Sequence, residues 1–224
     1  ACRIGLTNAC VNIRVLGVHT DGGMAELIAV PARNVVPTGG IPLEDAAMIE
    51  FLAIGAHGVR RGAISARDRV LVTGAGPIGM SAVIFAKARG ADVTVMDMRP
   101  DRLAFARERL GADAALIADA GAEASAQHLT GGDWFDVVID ATGAAPPIER
   151  GFGFLAHGAR YVLLSVVRQD ITFSDPEFHK REATLIASRN ALPDDFAEVV
   201  AQVRAGREPT RARNTHRGSL ADVA

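Results

Sequence analysis

The sequence predicts an α/β protein built on a doubly wound parallel sheet. Three observations carry that prediction. Short apolar runs of β-branched residues alternate with helical stretches from Val70 to Leu164. Glycine and proline separate the runs from the helices at regular intervals. A Gly-x-Gly-x-x-Gly stands between the first apolar run and the helix that follows it.

Taken in order, residues 1 to about 40 read as short strands and turns. Val11–Val18 is apolar and β-rich, and Asp21-Gly22-Gly23 is a turn signal. Leu27–Val30 is a second strand, closed by Pro31. From Pro42 the period becomes helical, through Leu43, Ala46, Ala47, Phe51, Leu52, Ile54 and Ala56. Val70–Val72 is a buried strand. A helix follows from about Ile78 to Arg89 and stops at Gly90. Val93–Asp97 is a strand. Pro100 and Asp101 open a helix that ends near Leu110, before Gly111. Ala115–Ile117 is a strand, Ala122–Leu129 a weak helix and Phe135–Asp140 a strand. Pro147–Leu155 reads as a helix, and Gly158 precedes a strand at Tyr161–Leu164. Thr184–Ser188 is a further strand, and Pro193 and Asp194 introduce a helix over Phe196–Ala205. Ser219 looks like a helix N-cap five residues before Ala224, the signature of a helix cut short.

Composition bounds the function. The chain has 224 residues, 49% of them hydrophobic and 22% charged, too apolar for disorder. With 24 basic and 26 acidic residues the net charge is −2, which argues against a nucleic-acid surface. No apolar run is long enough to span a bilayer, so no membrane role is expected. Two cysteines cannot form a disulfide framework, which points to a reducing, cytoplasmic setting. The first residue is Ala1, not Met, and both cysteines lie in the first ten residues.

The glycine motif has the context that a dinucleotide site requires. Gly74 permits a tight turn, Gly76 lets backbone approach a pyrophosphate, and Gly79 lets helix and strand pack closely. Phosphates would sit at the positive end of the helix dipole. Asp97 closes the second strand, eighteen residues after Gly79, where a carboxylate can accept hydrogen bonds from ribose hydroxyls. A 2′-phosphate there would meet like charge, which favours NAD over NADP; Arg99 and Arg102 work the other way, because each could pair with a phosphate. The bland reading is an ordinary strand-to-helix turn with an acid at a strand end. A methyltransferase also places an acid after its second strand, with tighter glycine spacing.

Cys2 and Cys10 make half a zinc site or two unremarkable thiols, since structural zinc takes four ligands. Glu50 lies on a mostly apolar helix, where a carboxylate is either paired, metal-bound or facing water near Arg60 and Arg61. His57 lies on the same helix face and reads as structural or as a ligand. His19 is a turn residue or a pocket residue.

Together these features resemble the medium-chain dehydrogenase/reductase superfamily, in its zinc-dependent sorbitol/polyol/sugar-acid branch. Cys2, Gly5, Asn8 and Cys10 resemble the end of the family's structural-zinc lobe. Asp21–Glu26 is similar to its D-G-G-x-A-E segment. Ile49–His57 is similar to its E-P-L-A-V-x-x-H segment, with Phe51 in place of proline. Val72–Gly79 resembles the coenzyme fingerprint, and His179–Glu182 with Ser188–Asn190 resembles members that oxidise sugar acids.

The resemblance implies a Rossmann sheet flanked by parts of an incomplete GroES-like β catalytic domain. It divides the chain into a catalytic-domain remnant at 1–45, an NAD-binding domain at 46–190, and a helix returning to the catalytic domain at 191–224. It makes Glu50 the late carboxylate of a catalytic zinc site and Cys2 and Cys10 the last two structural-zinc ligands. Gly74, Gly76, Pro77, Ile78, Gly79, Asp97 and Arg102 become cofactor residues, together with Leu164, Ser165, Val166, Ala187 and Ser188. Arg189 becomes an anchor for a substrate carboxylate, which a guanidinium grips with two hydrogen bonds.

The implied activity is hydride transfer from a secondary alcohol of a polyol or sugar acid to NAD, with zinc polarising the alcohol. The partners are a small-molecule substrate and further copies of the chain, as a dimer or tetramer. Family members carry an N-terminal segment with the other zinc ligands, and C-terminal strands, that are not present here, so a truncated chain is expected. The competing readings are an inactive NAD-binding fragment and a zinc-free quinone reductase.

Overall fold

A computed structural model describes residues 1–206 with Gly218 and Ser219. The helix expected after Ser219 lies outside the described residues, as does most of the stretch beyond 206. The chain divides into two compact units, residues 50–191 and residues 1–49 with 192–224.

The 50–191 unit contains a six-stranded sheet of β1 (Arg69–Thr73), β2 (Asp92–Asp97), β3 (Ala114–Ile117), β4 (Phe135–Asp140), β5 (Leu155–Leu163) and β6 (Thr184–Ala187). Their order is β3-β2-β1-β4-β5-β6, and every pairing is parallel. This is the doubly wound Rossmann order that the alternation predicts. The chain builds outward from β1 in one direction and then crosses to β4. The point of reversal therefore lies between the carboxyl ends of β1 and β4.

Parallel strands need both faces covered, so their sequences are apolar throughout. Val70, Leu71 and Val72 are all fully buried. Leu71, Val138 and Tyr161 lie side by side in register and share one core cluster with Ala122, Ala126, Ile148 and Phe154. The Tyr161 hydroxyl donates to the Ile148 carbonyl at 2.8 Å. Burial, with the Asp140 charge nearby, pushes that phenol well above its ordinary range, so it stays a donor.

The helices preceding the sheet and following its first strands are α1 (Leu43–Ala46), α2 (Ile49–Arg61), α3 (Pro77–Ala88) and α4 (Pro100–Leu110). Next come α5 (Ala122–Thr130), α6 (Ala145–Gly151), α7 (Asp175–Lys180) and α8 (Pro193–Arg204). Gly55 lets α2 lie against α3: a Cβ there would stand 2.0 Å from Ser81 Oγ and 2.7 Å from the Ala82 nitrogen.

At the amino edge of the sheet Arg160 donates to the Gly62 and Ala63 carbonyls and pairs with Asp68. The other Asp68 oxygen accepts from the Ser65 backbone at 2.6 Å. A half-buried charge with its hydrogen bonds filled fixes the α2–β1 connection to β5.

Three expectations are corrected. The helix expected over 147–155 ends at Gly151, a single 3-10 turn covers Phe152–Phe154, and β5 begins at Leu155 rather than Tyr161. Pairing steps from Phe135–Leu155 to Val137–Arg160, so β5 carries a bulge around Gly158, whose φ of +76° suits glycine. The helical period read through Leu43–Ala56 breaks at Ala47–Met48, leaving α1 a single turn.

The third correction concerns residues 1–49. Val11–Val18 and Leu27–Val30 form no strand; the segment holds 3-10 turns at Cys2–Ile4, Thr7–Ala9 and Ala32–Asn34 and one isolated bridge between Leu16 and Thr20. Val11 and Leu27 are each 91% exposed. A β-rich run becomes a strand only when a second strand pairs along it, and among the described residues these runs have local turn bonds and one bridge but no partner strand. His19 is an exposed turn residue whose Nδ1 accepts the Val15 N–H at 3.0 Å. In the same unit α8 is capped by the Asp195 carboxylate, which accepts the Leu192 N–H at 2.7 Å.

Candidate dinucleotide site

The glycine loop follows from what β1 must do at its end. Thr73 is buried, and its successor has to turn sharply out of a covered sheet. Gly74 does so at φ +90°, with its nitrogen donating to Met96 O at 2.8 Å. A Cβ on Gly74 would stand 2.8 Å from the Ala141 carbonyl oxygen, so the loop passes directly against the residue after β4. Gly79 packs so closely that its Cβ would lie 1.7 Å from Gly74 O. Gly76 differs, because a Cβ there would meet nothing within 4 Å. Two glycines are thus demanded by the protein's own packing, and the third opens onto free space. Pro77 sits in the first turn of α3, and no side chain caps that helix. The positive end of its dipole is therefore presented at the open glycine.

Asp97, at the end of β2, is tied into this loop. Its Oδ2 accepts the Ala75 N–H at 2.7 Å, and its Oδ1 accepts the Arg99 N–H at 2.9 Å. Arg102 reaches Oδ2 at 3.8 Å, an ion pair without a hydrogen bond. The Asp97 side chain is 11% exposed and Arg102 38%, so the pair borders the loop without being sealed.

Across the reversal point stands a residue that sequence reasoning passed over. Asp140 is fully buried at the end of β4. Its Oδ1 accepts from Thr142 Oγ1 at 2.6 Å, from the Thr142 nitrogen at 3.2 Å and from Thr73 Oγ1 at 3.3 Å. Its Oδ2 is buried with no hydrogen-bond partner. The signal was available: Asp140 ends its strand as Asp97 ends β2, and Thr142-Gly143 follows as a turn. Asp140 thereby holds the 141–143 turn that faces Gly74.

The remaining cofactor candidates lie at the carboxyl ends of β5 and β6. Leu164 is buried, and its nitrogen donates to Asp140 O at 2.9 Å. Ser165 Oγ accepts the Gly143 N–H at 2.8 Å, while Val166 is 90% exposed. Ala187 O accepts from Arg61 at 3.2 Å. Ser188 is buried, donates its N–H to Leu163 O, and has a hydroxyl with no partner. Arg189 is exposed beside it. Gly74–Gly79, Asp97, 140–143, Leu164–Val166 and Ala187–Arg189 thus share one edge of one sheet, where doubly wound folds bind ligands.

Cys2 is exposed and Cys10 half-buried, both as free thiols. Glu50 is exposed in the first turn of α2, a position that suits an acid without any metal. His57 is buried, with Arg60 at 3.3 Å from its Nδ1. Among the described residues no three His, Cys, Asp or Glu side chains gather to hold an ion. Two thiols and one carboxylate fall short of the four-ligand sets that zinc takes.

A family model described as "Zinc-binding dehydrogenase" matches residues 77–205. L-galactonate-5-dehydrogenase of Escherichia coli (strain K12) is 42% identical over 226 residues, covering all of this chain and 66% of that relative. A solved alcohol dehydrogenase (rspB) from E. coli CFT073, complexed with NADH, superposes with a TM-score of 0.90 at 29% identity. That match covers 98% of this chain and 65% of the other. A zinc-binding dehydrogenase from Sinorhizobium meliloti 1021, bound to NADP, superposes with a TM-score of 0.83 at 28% identity, covering 94% and 63%. This chain therefore spans about two thirds of the length of the proteins it resembles. The family model covers more than half of the residues, and the L-galactonate-5-dehydrogenase match takes in the whole chain: the chain belongs to the medium-chain, zinc-binding dehydrogenase family.

Proposed function

We propose that this chain is the nucleotide-binding portion of an NAD-dependent dehydrogenase acting on a secondary alcohol of a polyol or sugar acid. The observation that carries the reading is Gly76. It is the one glycine of its motif that the protein's packing does not require, and it faces open space at the uncapped end of α3. NAD, when bound, supplies the hydride acceptor. Gly76 admits the pyrophosphate against backbone, and the α3 terminus offsets its charge. Asp97 accepts from the adenosine ribose, with Arg102 beside it. The 141–143 turn, Leu164–Val166 and Ala187–Ser188 line the nicotinamide end, where they orient the ring and exclude water.

Arg189 is the proposed anchor for a substrate carboxylate. The relative's L-galactonate favours the sugar-acid side of the reading. In this reading Glu50 is one carboxylate of a catalytic zinc site and Cys2 and Cys10 are two ligands of a structural one, and neither set is sufficient by itself to hold the ion. The GroES-like remnant is placed at 1–45, the NAD-binding domain at 46–190 and the return to the catalytic domain at 191–224. A small-molecule substrate, a cytoplasmic setting and a dimeric or tetrameric assembly complete it. Among the described residues no helix is long and apolar enough to cross a membrane.

Titration with NADH, followed by its fluorescence, tests the core of the proposal. The chain should bind NADH, and Gly76→Val should abolish binding while the unfolding midpoint stays within a few degrees of the parent's. A Gly76→Val protein that binds NADH normally would overturn the placement of the pyrophosphate.

A further inference from the structure

Two arginines follow β2, and either would pair with a phosphate on the adenosine ribose. The structure treats them differently. Arg102 stays beside Asp97. Arg99 is turned away and gripped by Asp101: its Nε donates to one carboxylate oxygen at 3.1 Å and its terminal nitrogen to the other at 2.6 Å. This is the fork-on-fork geometry that only a guanidinium makes with a carboxylate.

The clamp rests on a rigid turn. Arg99 is the N-cap of α4, Pro100 fixes the first helical position, and Asp101 falls in the first turn, where the dipole favours an acid. The Arg99 backbone N–H is itself held by Asp97. The backbone at each end is thus fixed by something besides the clamp, while the two side chains, 59% and 64% exposed, are joined to each other.

We propose that Asp101 is a specificity residue that acts through Arg99, withholding its guanidinium from a ribose 2′-phosphate and keeping the site selective for NAD. The inference rests on the cofactor reading above. Asp101 is a positioning residue, which determines whether Arg99 can turn toward a phosphate. Asp97 repels a 2′-phosphate directly, while Asp101 removes a group that would attract it. The sequence pattern Asp97-Met98-Arg99-Pro100-Asp101-Arg102 therefore encodes two separate barriers to the phosphorylated cofactor.

The test is a double-mutant cycle read as the ratio of NADPH to NADH dissociation constants in the full chain. Asp101→Ala should lower that ratio about fivefold, the size of one exposed charge-assisted contact. Arg99→Ala in the Asp101→Ala background should return the ratio to the parent value. Asp101→Asn, which keeps the helix start and removes the charge, should fall between. An unchanged ratio in Asp101→Ala would overturn the proposal, and so would a gain that survives loss of Arg99. If the unmodified chain binds neither dinucleotide, the cofactor reading itself fails, and the proposal with it. If it binds NADH and the ratio does not move, only the role of Asp101 fails.

Discussion

Val70–Thr73 and Val11–Val18 are both short, apolar and rich in β-branched residues, and they have opposite fates. The first is the central strand β1, with β2 on one side and β4 on the other. Its residues Val70–Thr73 are all buried. The second is irregular, with Val11 91% and Val18 74% exposed. Composition does not separate them. A strand is a property of a pair, and among the described residues the first run has partner strands on both sides while the second has none.

The sharpest way to break the contrast is to attack the turn that closes β1. Gly79→Val would drive a side chain into the Gly74 carbonyl, which is backbone and cannot step aside. Unfolding by urea should show a loss of about 4 kcal/mol or more, or no folded protein. Next in size, Leu71→Ala empties part of the cluster it shares with Val138 and Tyr161 and should cost about 2–4 kcal/mol. Val11→Ala should stay within about 0.5 kcal/mol. Equal losses for the two would mean that the N-terminal run is packed after all.

Asp97→Ala removes both an acceptor for ribose and the brace on the Ala75 N–H. NADH should bind about tenfold more weakly, with a smaller loss for NADPH; equal losses would count against a ribose role.

A further small effect is a pH dependence at the amino edge of the sheet. Burial works to raise the Asp113 carboxyl, but hydrogen bonds from Lys87 and the Val93 N–H outweigh it and leave it below its ordinary 3.8. The contribution is therefore complete above pH 3.8 and fades as pH falls through the lower folded value. Since the Asp113 side chain is 44% exposed, it amounts to less than about 1 kcal/mol. Asp113→Asn should flatten acid denaturation only in that range.

The same contrast explains what the sequence made legible. Local rules located β1 to β4 and the ends of α3 and α4, because apolar period, proline and glycine act within a few residues. They failed at β5, where the extra residues around Gly158 depend on pairing with β4 and on the Arg181 carbonyl that takes the Gly158 N–H. They also missed α7, whose six residues carry no strong period. At the site, the glycines and Asp97 were readable from spacing. Asp140 could be read as an acid at a strand end, but its tie to Thr73 was not legible, because that contact forms only when β1 and β4 become neighbours. Nor was the Arg99–Asp101 pair: Arg99 looked like a competitor for phosphate until its guanidinium was seen to be occupied.

Asp97 has one more consequence, which is a matter of counting lone pairs. A carboxylate offers about four acceptor positions. The Ala75 and Arg99 amides occupy one on each oxygen. Two remain, one per oxygen, and a ribose has two hydroxyls to donate. A nucleotide arriving there would complete a valence already half filled, with no protein bond broken to admit it. Arg102, at 3.8 Å, would then find every acceptor taken and could contribute only through its charge and its flat face.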